Sequence, residues 1–302
     1  MAIVLQPAQK ILKPMKVLMY GPTFSGKTLS SLLLAVGIVM DKRGCTETEA
    51  WKHIILIDTE YGRGALHKHQ GPYNYLRIDA PYDTDKLVTM ITELNHIDQI
   101  DVIITDSLTH FWIKEGGILE QKAAKDKLGG NTYTNWLDFT AIFNKMLDSI
   151  MQSPKVILST ARAKSDTVVD TSSGKAVPKT YGLKPELREG IEYDFDIVFN
   201  IDKNSHNLIV DKGIPGMAPV FDIATPELGK HLYDLFNADA ILPVRTETDI
   251  MNTIRQLSVS NNLITFIQLK LSGRKLDVLT MDELIQLEAD MLAEIKRVQP
   301  KK

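Results

Sequence analysis

Lys16-Val-Leu-Met-Tyr20-Gly21-Pro22-Thr23-Phe24-Ser25-Gly26-Lys27-Thr28 leads from an apolar strand, through a turn bounded by glycines, into a helix whose apolar residues run almost all the way round. The turn fits G-x-x-x-x-G-K-[ST], and strand before with helix after is the context that pattern needs. Glycines let backbone N–H groups converge on phosphate oxygens, and the first helical turn adds unpaired donors and the positive end of its dipole. Gly21, Pro22, Thr23, Phe24, Ser25, Gly26, Lys27 and Thr28 are therefore the candidate nucleotide-binding residues. Lys27 is placed to neutralise the β- and γ-phosphates, which gives it a catalytic role, and Thr28 to offer its hydroxyl to Mg²⁺, a hard cation that prefers oxygen. The bland alternative is a glycine-rich turn with no ligand.

Outward from this turn, short apolar runs alternate with helical patterns, the mark of βαβ units and a mostly parallel sheet. Strands are predicted at Lys16–Tyr20, His53–Asp58, Tyr75–Ile78, Val102–Asp106, Lys155–Thr160, Asp196–Ile201 and Asn207–Asp211, with helices at Thr28–Met40, Asp83–Ile97 and Thr134–Met151. A hairpin is expected around Asn204 and Ser205, then a helix from Pro226 to Phe236. Beyond Pro243 the pattern is purely helical. The last helix opens on a capping box, Thr280 with Glu283, and carries Leu284, Leu287, Met291 and Ile295 on one face. The expected division is an ATPase domain over 1–240 and a helical region over 241–302.

A phosphate-bound metal needs an acidic partner at the end of a neighbouring strand, and Asp101-Val-Ile-Ile-Thr-Asp106 ends in one. Asp106 is the candidate metal ligand beside Thr28. Asp58 competes for the role, and helix capping is the plain alternative for Asp106. Two residues beyond Asp58 stands Glu60, placed where a carboxylate can orient and deprotonate water; the plain alternative is an exposed loop glutamate. The histidines, among them His53, His67, His69, His96 and His110, show no metal-ligand spacing and read as structural. Trp51, Tyr73 and Tyr75 read as packing residues.

The chain has 302 residues, a net charge of −3, a hydrophobic fraction of 44% and a single cysteine, Cys45. That charge excludes a polybasic nucleic-acid binder while leaving room for a local basic groove. One cysteine excludes an intramolecular disulfide, and no run approaches the length of a membrane span. A cytoplasmic location is expected.

Strand, phosphate loop, Ile57-Asp58-Thr59-Glu60, then an aspartate-ended strand resembles the RecA-like ATPase core, in which the glutamate of that tetrapeptide activates the attacking water. More narrowly, Ile157-Leu-Ser-Thr160-Ala-Arg162-Ala-Lys164 and Gly182-Leu-Lys184-Pro-Glu-Leu-Arg188 resemble bacteriophage ATPases described as AAA domain proteins, related to phage single-strand annealing ATPases. The resemblance spans Lys13 to Asn237. It implies an α/β fold of RecA-like layout with a small C-terminal helical appendage, ATP and Mg²⁺ as cofactors, and Glu60 as catalytic base. It also implies Thr160 or Arg162 as the γ-phosphate sensor and Lys212 as a residue reaching a neighbouring subunit's nucleotide. Relatives carry K-x-R at that late strand; here Asp211-Lys212-Gly213-Ile214 keeps the lysine alone, and a solvated hairpin lysine is the alternative.

In RecA-like proteins two loops bind DNA, which directs attention to Lys114–Trp136 and Ala163–Pro185. The first offers Lys122, Lys125 and Lys127 with Tyr133 and Trp136; the second, expected to be a flexible loop about Thr171-Ser-Ser-Gly174, offers Lys164, Lys175, Lys179, Lys184 and Arg188. Solvated faces and core tryptophans are the plain alternative. The leading expectation is an ATPase acting on single-stranded DNA in phage recombination or replication, assembled as a homo-oligomeric ring or filament. Its rival is a nucleotide-gated loader or scaffold whose hydrolysis regulates a protein partner held by the C-terminal helices. A small-molecule kinase is the third reading, weakened by the lack of an evident acceptor-binding lid.

Overall fold

Strands covered by helices on both faces read as unbroken apolar runs, and β1 (Lys16–Gly21), β2 (Ile54–Asp58) and β4 (Val102–Asp106) are buried along their whole length. The computed structural model describes residues 9–129, 131–170, 177–241, 247–260 and 263–298. These fall into two compact units, a larger one over Lys13–Asp239 and a smaller one in which the chain from Ala240 onward packs with the segment ending at Leu12.

In the larger unit the helices in chain order are α1 (Lys27–Arg43), the short α2 (Glu47–Ala50), α3 (Thr84–Asn95), α4 (Thr109–Ile113), α5 (Ile118–Lys127), α6 (Thr132–Met151) and α7 (Pro226–Asn237). The remaining strands are β3 (Asn74–Arg77), β5 (Val156–Asp170), β6 (Val177–Pro185), β7 (Ile197–Ile201), β8 (Leu208–Lys212) and β9 (Val220–Phe221). The sheet runs β3-β2-β4-β5-β1-β7-β8-β9. It is parallel from β3 through β7 and antiparallel at β7-β8-β9. This is the expected α/β class, a mostly parallel sheet flanked by helices.

Alternate residues of each strand supply two cores. Leu18, Ile57, Ile103 and Ile157 pack with Leu87 and Ile91 of α3 and Phe143 and Met146 of α6. Val17, Leu56, Ile104 and Leu158 pack on the other face with Leu34 and Ile38 of α1 and Leu232 and Phe236 of α7. Register then decides what shares the sheet's carboxyl edge, where α/β proteins bind ligands. Asp58 stands beside Asp106, and Met19 and Gly21 stand beside Thr160 and Arg162.

Two sequence expectations are corrected. Ala163–Pro185 is not a loop among its described residues: β5 continues ten residues past Thr160 and pairs with β6 in an antiparallel ribbon. Arg162 to Asp170 lacks the unbroken apolar run that marks a buried strand, so apolarity ended the predicted strand too early. Lys114–Trp136 likewise contains α5 and the first turn of α6, which Asn131 caps through a bond from the Tyr133 amide.

The smaller unit holds α8 (Glu247–Ser260), α9 (Ile264–Leu271) and α10 (Met281–Val298) around Ile250, Ile254, Ile267, Leu284, Leu287 and Met291. The capping box forms as expected, with the Thr280 amide donating to Glu283 Oε2 at 2.9 Å. No helix among the described residues is long and apolar enough to cross a membrane.

Candidate active site

The loop from Gly21 to Thr28 closes over a tight interior. A side chain at Gly21 would meet Ser25 Oγ at 2.6 Å and the Ile201 carbonyl at 2.7 Å, and Gly26 sits at φ 91°, a conformation glycine adopts freely. Gly26 is also the N-cap of α1, and no side chain caps the helix there. The opening amides of a helix have no partner within it, so they remain available to an anion. Ser25 Oγ is buried without a hydrogen-bond partner, the one such side-chain atom among the described residues. His206, from the β7–β8 turn, braces the loop through Nδ1 at 3.0 Å from the Ser25 carbonyl.

Lys27 Nζ donates to the carbonyls of Gly21 and Pro22 at 2.9 and 2.8 Å. Burial lowers its pKa, while the charges of Asp106 and Glu60 work to keep it protonated. Asp106 accepts from Thr28 Oγ1 at one carboxylate oxygen and from Thr160 Oγ1 at the other, both at 2.5 Å. Its own burial raises its pKa, and the charges of Glu60 and Asp58 add to that. The Asp106 carboxylate and the Thr28 hydroxyl at the phosphate loop together form an oxygen donor set suited to Mg²⁺.

Asp58 does other work. Its Oδ1 accepts the Glu60 amide at 2.5 Å, and its Oδ2 accepts the Gly64 amide at 2.9 Å and Tyr75 Oη at 2.7 Å. The carboxylate organises the loop from Asp58 to Gly64 and so orients Glu60.

Glu60 lies in a bidentate pair with Arg162, whose Nη2 stands 2.9 and 2.8 Å from the two carboxylate oxygens, with Nε 3.1 Å from Oε1. Ser107 Oγ donates to Oε1 at 3.2 Å, and Arg63 Nη1 lies 3.8 Å from Oε2. Burial works against ionisation, but the Arg162 bonds, the neighbouring charges and Ser107 outweigh it and hold the pKa below the ordinary glutamate value. These groups meet in a cleft of about 380 Å³, with Lys27, Thr28, Glu60, Asp106 and Arg162 on its polar side. Phe24 and Leu66, which are 84% and 72% exposed, give it an apolar rim.

The structure thus brings together the phosphate loop, Glu60, Asp106, Thr160 and Arg162. It places Lys212 elsewhere: Nζ donates to the carbonyls of Tyr193 and Phe195, both at 2.6 Å. Most of the described basic candidates are engaged. Lys122 is buried, pairs with Asp126 and lies over the Trp136 ring. Lys125 pairs with Asp138, Lys184 with Asp166 and Glu189, and Arg188 lies over the Phe143 ring. Lys127 and Lys164 are exposed, while Lys175 and the side chain of Lys179 lie outside the described residues. Sequence reasoning missed His110, Ser107, Arg63 and His206 as parts of the site. Only Arg63 and Ser107 carried a local signal, through closeness in the chain to Glu60 and Asp106.

A phosphate loop after the first strand, with a threonine–aspartate pair and a poised glutamate at the carboxyl edge of a mostly parallel sheet, defines a P-loop nucleotide-binding protein. The chain belongs to the AAA domain family, whose model matches residues 13–226. No curated protein matches it in sequence. Among solved structures, the crystal structure of the RadB recombinase is similar over 70% of this chain and 88% of that one, at 16% identity and a TM-score of 0.40.

Proposed function

We propose that this chain is an ATPase of RecA-like layout, with Glu60 as the base, and that hydrolysis is coupled to single-stranded DNA in phage recombination or replication. The observation that carries the hydrolytic half is the convergence of Glu60 with Lys27, Thr28 and Asp106 on one cleft. The α1 amides and Lys27 bind the β- and γ-phosphates. Thr28 and Asp106 would hold Mg²⁺, which supplies neutralisation of charge on the phosphate oxygens. Glu60, ionised, takes a proton from water at a carboxylate oxygen; Arg162 lines the same cleft and would respond to the γ-phosphate, with Thr160 buried behind it as a donor to Asp106.

The DNA half is supported by the ribbon of β5 and β6, which continues the strand bearing Thr160 and Arg162 and carries the exposed Lys164. Assembly as a ring or filament rests on the resemblance of motif order, and Lys212 would need to leave its carbonyl partners to act in trans.

Phosphate release measured with and without single-stranded DNA tests both halves. Lys27→Ala is expected to lose ATP binding and turnover, and Glu60→Gln to keep binding while kcat falls about a hundredfold or more. Unchanged turnover in Glu60→Gln removes Glu60 from the base role. Hydrolysis indifferent to DNA, with ATP-dependent capture of a protein partner, favours the loader.

A further inference from the structure

His110 has no part in the reading above, yet it is fully buried against the two groups that matter most to it. It lies on α4, with its ring 5.0 Å from Tyr82 and 5.9 Å from Tyr61 between centroids. Its Nδ1 is 2.7 Å from the Thr59 carbonyl. A carbonyl only accepts, so the imidazole proton is on Nδ1 and Nε2 presents a lone pair. That lone pair faces Arg162 Nη2 at 2.8 Å, with Glu60 Oε1 at 3.4 Å from the same nitrogen.

We infer that His110 is a positioning residue for hydrolysis: as a neutral acceptor it takes an N–H of Arg162 and holds the guanidinium against both oxygens of Glu60. The inference rests on Glu60 being the base. The titratable and charged groups around the ring are Glu60 from the loop after β2, Arg162 from β5, Tyr61, Tyr82, and Lys114 at the end of its own helix. A second proton, on Nε2, turns the acceptor into a donor. The imidazolium then bonds to Glu60 and confronts Arg162 as a like charge, so one proton exchanges the partner of the base. Burial, with the charges of Arg162 and Lys114, keeps the histidine pKa below its ordinary value against the pull of Glu60 and the Thr59 bond, which preserves the neutral form at pH 7.

The experiment is the pH dependence of kcat and KM for ATP in the whole chain, for the natural protein, His110→Phe, His110→Gln and Glu60→Gln. Phe keeps the aromatic packing and removes the acceptor; Gln keeps an acceptor and cannot titrate. His110→Phe is expected to lower kcat about tenfold or more, since small errors in orienting a catalytic group are costly, with KM changed by less than about twofold because His110 does not touch the phosphate loop. His110→Gln is expected to recover much of the loss and to move the acid limb of kcat to lower pH. A Phe variant with natural kcat, or a Gln variant with the natural acid limb, overturns the inference. If His110→Phe also fails to bind ATP, it is misfolded, and the Gln profile alone decides. Full turnover by Glu60→Gln would remove the base assignment, and this inference with it. Loss of turnover there, with natural behaviour in both His110 variants, defeats this inference alone.

Discussion

Both oxygens of Asp58 accept bonds from groups that can only donate to them in this arrangement: two backbone amides and the Tyr75 hydroxyl. An amide in its place would turn an N–H₂ toward a donor, leaving a buried polar group unpaired. Asp58→Asn is therefore expected to shift Glu60, lowering kcat about tenfold to a hundredfold while ATP affinity, measured by titration, stays near natural. Lys16 offers a second test at this scale. It is buried at the start of β1, donates to the carbonyls of Ser153 and Lys155, and has its pKa pushed down from 10.5 to about 7, first by burial, against the pull of Asp196. Between those values the unfolded chain binds the proton that the folded chain has released, so stability rises with pH across that window; below about 7 the buried charge weighs fully against the fold. Urea denaturation at pH 7 and pH 9 is expected to show that rise in the natural protein and a smaller one in Lys16→Met. Equal slopes would show that Lys16 stays protonated throughout.

At the scale of elements, α1 and α7 cross at two glycines. A side chain at Gly37 would lie 1.8 Å from the Pro226 carbonyl, and one at Gly229 would lie 2.2 Å from the Leu34 carbonyl. Both obstructions are backbone, so relief requires the helices to separate and the core of Leu34, Ile38, Leu232 and Phe236 to loosen. Gly37→Ala is expected to destabilise by about 3 kcal/mol despite alanine's better helix propensity, read as a lower midpoint in thermal or urea unfolding. The same scale shows what the sequence could disclose. The phosphate loop was legible because strand, turn and helix adjoin in the chain, and Asp106 because it ends an apolar run. The continuation of β5 was not, because Ala163-Lys-Ser-Asp166 is held as a strand by pairing with β6 rather than by apolar burial. The partnership of Glu60 with Arg162 spans 102 residues and that with His110 about half as many, so no local spacing announces either. His110 read as structural because its role depends on a tautomer set by the Thr59 carbonyl, which only the fold brings near.

For the whole molecule, every group assigned to the cleft and both cores that support the sheet come from the larger unit. The smaller unit has an apolar core of its own around Ile250, Ile254, Ile267 and Met291, with its helices tied by ion pairs such as Lys270 to Asp290 and Arg274 to Glu283. A unit that buries its own apolar surface and supplies its own hydrogen bonds folds without its neighbour. A chain from Lys13 to Asp239 is therefore expected to unfold cooperatively and to bind ATP with an affinity within about threefold of the full chain, since no nucleotide contact is lost. Calorimetric unfolding with and without ATP checks this directly: retained nucleotide-dependent stabilisation places the binding function in the larger unit alone. Loss of cooperative unfolding would mean that the C-terminal helices stabilise the nucleotide-binding unit. Retained stabilisation with lost response to DNA or to a protein partner would assign that response to the C-terminal helices.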